Sequence, residues 1–151
     1  MKSIALRGSW LIRASREVVY AVISDFERMP ERFPAVAEKV IVTKRVGNRL
    51  EMDVVAKTFG RKIAVKMRTE LLPGEGFVSD NVSDMGIAGH EEFLLRDHPE
   101  GTRIDYRYDV AFKTRFWMLF AKPLIEWYAM WFWKKSFIDA LRDILERPGH
   151  K

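Results

Sequence analysis

Between residues 36 and 112 the chain alternates apolar and polar side chains in six consecutive segments, near 36–46, 49–58, 61–73, 76–83, 88–97 and 102–112. A period of two marks a strand with one face buried. The breaks are short and rich in turn residues: Gly47-Asn48, Phe59-Gly60, Pro73-Gly74-Glu75-Gly76, Asp84-Met85-Gly86 and His98-Pro99-Glu100-Gly101. Parallel strands need a crossover of a dozen residues or more, so connections this short imply an antiparallel meander. Its apolar face must be covered by another part of the chain.

The cover lies on the C-terminal side. Residues 116–133, FWMLFAKPLIEWYAMWFW, hold eight aromatic residues and four of the five tryptophans. So much apolar surface has to be hidden against a core, a ligand, a membrane or another chain. Lys122, Pro123 and Glu126 interrupt the stretch, and it is too short to be read as a transmembrane helix. A helix is expected from about Leu124 to Glu146, with Pro123 suited to its start and Pro148-Gly149 ending it. Phe137, Ile138, Leu141, Ile144 and Leu145 share one face. Carried backward at ~100° per residue, that face reaches Lys134, Met130 and Trp127, flanked by Trp131 and Trp133. Ile125, Tyr128 and Phe132 form a second stripe on the opposite side, a candidate homodimer seam. Phe116 to Phe120 precede the helix and are candidates for a lip at a cavity entrance, and residues 116–133 are the candidate for peripheral contact with a membrane interface.

Residues 2–13 read as a further strand, with Ile4, Leu6, Trp10 and Ile12 on one face and Gly8 among them. Ser15 suits an N-cap and Glu17 the first turn of a helix running to about Ser24. DFERMPERF follows as a second short helical segment, kept short by Pro30 and Pro34. No repeat or linker divides the chain, so one domain over 1–151 is expected. The absence of cysteine excludes disulfides and thiolate metal sites. Arg7 and Arg13 break the N-terminal apolar run, which does not resemble a signal peptide, and the cytoplasm is the expected compartment. The net charge is +5. Lys62, Lys66 and Arg68 interleave with Ile63, Val65 and Met67, as on a solvated sheet face. A patch from Lys57 to Arg68 facing anionic lipid is the sharper alternative. No nucleic-acid partner is expected.

Residues 14–34, ASREVVYAVISDFERMPERFP, together with GTRIDYRYDV at 101–110 and the amphipathic C-terminal helix, resemble the START-related helix-grip superfamily. The likeness is strongest to its polyketide cyclase/dehydrase and lipid-transport branch and covers essentially the whole chain. It implies an α+β fold: a curved seven-stranded antiparallel sheet wrapped around a long C-terminal helix, with two short helices after the first strand. Because this fold hosts carriers, cyclases and hydrolases, it implies little about activity.

Apolar strand positions expected to face the helix include Trp10, Met52, Val54, Ile63, Val65, Met67, Phe93, Leu95, Ile104, Tyr106 and Tyr108. Either they fill the interior or they line a cavity suited to a lipid, isoprenoid, quinone or polyketide. The candidate ligand-binding residues are Trp10, Met52, Met67, Phe93, Tyr106, Tyr108, Trp127, Trp131 and Lys134. Glu91 shares the alternation of Phe93 and Leu95, so it points inward and, with Tyr106, is the candidate for acid–base chemistry. His90, His98 and His150 are too scattered for a metal site, and no HExxH, GxGxxG or GxSxG spacing occurs. Neither a metal nor a cofactor is expected. The leading reading is a carrier or binder of a hydrophobic small molecule. An aromatase/cyclase-type enzyme working in the same cavity is the alternative, and a homodimerising interaction module a third.

Overall fold

The computed structural model describes residues 2–58, 61–84, 87–112 and 130–146. Strand β1 (Lys2–Ile12) leads into helix α1 (Arg16–Ile23), a 3-10 turn (Phe26–Arg28) and helix α2 (Met29–Arg32). Six strands follow: β2 (Ala37–Val46), β3 (Arg49–Thr58), β4 (Arg61–Leu72), β5 (Gly76–Ser83), β6 (Ala88–His98) and β7 (Gly101–Phe112). Helix α3, residues 130–146, completes the described structure. The sheet order is β1-β7-β6-β5-β4-β3-β2, and every neighbouring pair is antiparallel. Five hairpins therefore run in sequence, and β1 closes against the last of them.

Local chemistry accounts for the element ends. The Ser15 hydroxyl accepts from the Val18 N–H and caps α1. Gly47, at φ 59°, turns β2 into β3 in a left-handed conformation that other residues resist. The Thr102 hydroxyl donates to the Ala14 carbonyl at 2.8 Å, tying the start of β7 to the end of β1. Two register shifts interrupt the pairing of β2 with β3, and such bulges blunt an edge strand against pairing with another chain.

The two faces of the sheet differ as the alternation requires. On the outer face charges of opposite sign pair across and along strands: Lys62 with Glu38 at 3.1 Å, Arg68 with Glu51 at 3.8 Å, Arg96 with Asp105 at 2.6 Å and Arg107 with Asp109 at 3.0 Å. Lys66 lies opposite Asp53 in the register. The basic residues of β4 are thus interleaved with carboxylates, as a solvated face is. The inner face carries Ile12, Leu50, Met52, Val54, Phe77, Phe93, Leu95, Ile104 and Tyr106, all buried, with Trp10, Val65, Met67 and Tyr108 half-buried beside them.

Helix α3 covers that face through Phe137, Ile138, Leu141 and Leu145. Arg142 donates from Nε and Nη2 to the Leu11 carbonyl at 3.3 and 3.2 Å, pinning the helix to β1. Midway along, Lys134–Ile138 forms a π-helical turn in which the Asp139 N–H donates to the Lys134 carbonyl five residues back. This wider turn aligns residues four apart. Trp133 therefore lies parallel to Phe137, with ring centroids 4.5 Å apart and planes 5° apart. Tyr106 lies 4.7 Å from Trp133 and Phe33 lies 4.3 Å from Phe137, both near parallel. Four rings from β7, α3 and the end of α2 thus fill the space between sheet and helix at this level.

The π turn corrects two expectations drawn from a uniform helix. Lys134 is not on the inner face: its side chain is 51% exposed and its Nζ lies 3.7 Å from Asp139. Trp131 is 48% exposed, with the Lys135 Nζ 5.1 Å from its ring centroid. The extra residue in the turn moves the inner position from Lys134 to Trp133. Trp127, Ile125, Tyr128 and Phe116 to Phe120 lie outside the described residues. Phe132, the remaining member of the proposed seam, is half-buried.

Removing a ring from this run should be costly, whereas shortening Lys134 should not. Phe137→Ala is expected to lower unfolding free energy by about 3–5 kcal/mol. Lys134→Ala should change it by less than ~0.5 kcal/mol. Urea denaturation distinguishes the two, and equal losses would contradict the helix phase described.

Candidate functional site

The inner face changes character along the strands. One row across it reads Phe77, Phe93, Tyr106 and Gly8. The next row reads Thr69, Ser79, Glu91, Tyr108 and Leu6. The row after that reads Met67, Asn81, Gly89 and Val110. Thr69, Ser79, Asn81 and Glu91 are all buried, so a polar cluster is set into an otherwise apolar face. Buried polar groups are tolerated only with partners. The Thr69 and Ser79 hydroxyls are 2.6 Å apart. Tyr106 donates to Glu91 Oε2 at 2.6 Å, and Tyr108 donates to Asn81 Oδ1 at 2.8 Å.

Two glycines make room for this arrangement. Tyr108 reaches Asn81 by crossing Gly89, where a Cβ would overlap the tyrosine ring and lie 2.7 Å from Asn81 Oδ1. The Trp10 ring folds over Gly8, where a Cβ would also meet the Met130 methyl at 2.9 Å. Trp10 in turn lies 6.2 Å from Tyr106, centroid to centroid.

Glu91 is the electrostatic centre of the cluster. It is 6% exposed. Burial disfavours its charged form and raises its pKa from 4.5 to about 7, against the opposing effects of the Tyr106 hydrogen bond and of His90. Burial raises both tyrosines as well, and a negative Glu91 reinforces this. Near neutral pH Glu91 can therefore hold or release a proton, while Tyr106 and Tyr108 stay protonated and act as donors. A further donor is unsatisfied: the Trp133 Nε1 is buried and has no hydrogen-bond partner among the described residues. Such a group costs about 1–3 kcal/mol when left unpaired.

Of the residues expected at a site, Tyr106 and Glu91 are in direct contact, and Phe93, Tyr108 and Trp10 are their neighbours. Met52 is buried and Met67 half-buried on β3 and β4, paired with each other in the register. Lys134 and Trp131 are turned away, and Trp127 is not described. Sequence reasoning missed Thr69, Ser79, Asn81, Gly89 and Trp133. Their parity with Met67, Phe77 and Glu91 was the available signal for all but the last. His90 and Glu92 face outward, with His90 Nδ1 2.7 Å from Asp80. Among the described residues no group of three or more His, Asp or Glu is placed to hold a metal ion, and no helix is long and apolar enough to cross a membrane.

A seven-stranded antiparallel sheet closed over a C-terminal helix, with short helices after β1, is a helix-grip fold. The chain belongs to the polyketide cyclase/dehydrase and lipid transport family, whose model matches residues 12–132. A START superfamily protein from Mycobacterium smegmatis superimposes with a TM-score of 0.76 at 15% identity, covering 96% of this chain and 97% of that one. The Zhui aromatase/cyclase from Streptomyces sp. R1128 gives 0.74 at 13%, covering 98% and 99%. The di-domain ARO/CYC StfQ of the steffimycin biosynthetic pathway gives 0.78 at 17%, and the chain covers 51% of its length, about half. At these identities the likeness establishes the fold alone. No curated protein matches the chain in sequence.

The raised Glu91 pKa has a definite sign in stability. The folded state holds this proton up to about pH 7, whereas the unfolded chain releases it near 4.5. The stabilisation is full below 4.5 and is lost as pH rises through 7, by an amount on the order of 3 kcal/mol. The stability difference between wild type and Glu91→Gln, measured by denaturation from pH 4 to 8, should fall by that order as pH rises. A pH-independent difference would contradict the buried, desolvated carboxyl. Gly89→Ala should destabilise by about 1–3 kcal/mol through overpacking against Tyr108, a loss that denaturation would register directly.

Proposed function

We propose that this protein binds a hydrophobic small molecule (a lipid, an isoprenoid or quinone, or a polyketide) between the inner face of the sheet and helix α3. The observation that carries the reading is the buried polar cluster Thr69, Ser79, Asn81, Glu91 and Tyr106, set into an apolar face. Ligand sites are largely apolar with a few placed polar groups that fix orientation. Phe93, Trp10 and Tyr106 offer flat apolar contact, and the two methionines, Met52 and Met67, adapt to irregular shapes. Tyr108 and the Trp133 Nε1 supply donors. Membership of a family whose description joins cyclases to lipid transport supports the same class of ligand.

A second reading, an aromatase/cyclase-type enzyme, is favoured by one observation: Glu91 titrates near 7 and accepts a 2.6 Å hydrogen bond from Tyr106. A carboxylate poised there can take a proton from a carbon between two carbonyls and return it to an oxygen in a later step. The Tyr106 hydroxyl would steady the carboxylate in the ionised state. The cluster would then orient a polyketone by shape and supply one acid–base group.

Native mass spectrometry of freshly purified protein, with extraction of whatever is bound, tests the first reading. A hydrophobic small molecule should copurify, or delipidated protein should take up a fluorescent quinone or lipid analogue. Failure of both would refute binding. For the second reading, Glu91→Gln is expected to lower turnover of a poly-β-ketone by about 10²–10⁴-fold, with Tyr106→Phe also slower. Full activity in both variants would remove these residues from the chemistry.

A further inference from the structure

The charge census of the inner face narrows what its polar cluster can accept. The buried polar and charged residues of the described structure are Thr69, Ser79, Asn81, Glu91 and Thr102. Glu91 is the one that can carry charge, and that charge is negative. No lysine or arginine is among them. The cations of neighbouring strands, Lys66 on β4 and Arg107 on β7, occupy the opposite parity and lie on the outer face. Lys134 on α3 is turned outward to Asp139. Arg32 has a buried Nη1, but it lies on α2, 3.6 Å from Asp25.

The partners within the cluster are suited to a neutral oxygen. Hydroxyl groups donate and accept, so a ligand oxygen can join Thr69–Ser79 or Tyr108–Asn81 without stranding either member. The Trp133 Nε1, on a ring 4.7 Å from Tyr106, is a donor awaiting an acceptor. A carboxylate or phosphate brought here would shed its water, meet no cation among the described residues and face Glu91 as a like charge.

We infer that the polar cluster on the inner face selects ligands ending in an uncharged hydroxyl or carbonyl oxygen, and that Glu91 turns away those ending in a carboxylate or phosphate. This rests on the ligand-binding reading above. It divides that reading's candidates, keeping alcohols, ketones and quinones and removing fatty acids and phospholipids as occupants of the site.

Matched probes that differ only in their polar end test the division. Binding of retinol and retinoate, and of oleyl alcohol and oleate, is measured at pH 8 by tryptophan quenching or calorimetry on the full chain. In each pair that binds, the alcohol is expected to bind at least ten times more tightly than the carboxylate. Glu91→Gln, which keeps the shape and removes the charge, should narrow that ratio at least threefold by tightening the binding of the carboxylate. A wild-type ratio below ten, or a ratio that Glu91→Gln leaves unchanged, overturns the inference and leaves hydrophobic binding standing. If no member of either pair binds and extraction also yields nothing, the ligand-binding reading itself falls, and this inference with it.

Discussion

The run of rings from Tyr106 through Trp133 and Phe137 to Phe33 is the constraint on which the rest of the structure depends. It joins the sheet, the C-terminal helix and the α2 region by flat, near-parallel contacts. Aromatic pairs of this kind add to the burial of area itself. The run also sets how far the helix stands from the sheet. The π-helical turn is part of the same device, because the widened turn brings Trp133 and Phe137, four residues apart, more nearly into line. Phe93 meets both Phe137 and Tyr106 edge-on and locks the run against β6.

The polar cluster follows from that spacing. One row beyond the rings, the strands present hydroxyls, an amide and a carboxyl in place of hydrocarbon. Each of these groups is paired with another, so the cluster is stable as it stands, yet the groups can exchange partners. A carboxyl so placed has two consequences at once. It destabilises the fold when ionised, and it makes the local protonation state sensitive near neutrality. Functional sites often combine such a local penalty with chemical usefulness.

Much of this was legible in the residues. The strands fall where the alternation put them, because short turns and a single buried face leave little freedom of register. Glu91 was identifiable as inward because Phe93 and Leu95 flank it at the right parity. Strand β5 was harder. Its inner positions include Ser79 and Asn81, while Val78 and Val82 lie outward and Val82 is 56% exposed. Hydrophobicity there runs against burial, so only the buried Phe77 marks the inner face. The helix failed for another reason. A period of 3.6 cannot anticipate an inserted residue, and the error of one position exchanged Trp133 for Lys134. Features that depend on regular geometry were readable, and those that depend on a local irregularity were not.

The pairing of β1 with β7 has a consequence for how the chain is made. Ile12 lies opposite Thr102, and all the other strand pairs join neighbours in the chain. During synthesis β1 emerges well before its partner. At ~5–20 residues per second, roughly 5–20 s separate the two. Through that interval Leu6, Trp10 and Ile12 have no sheet to join, while the hairpins from β2 to β6 can form as they appear. Helix α3, which hangs on the Leu11 carbonyl through Arg142, is made later still. The nascent chain thus carries an unpaired apolar strand until β7 has been made, and that interval is its window of exposure to chaperones and to other chains.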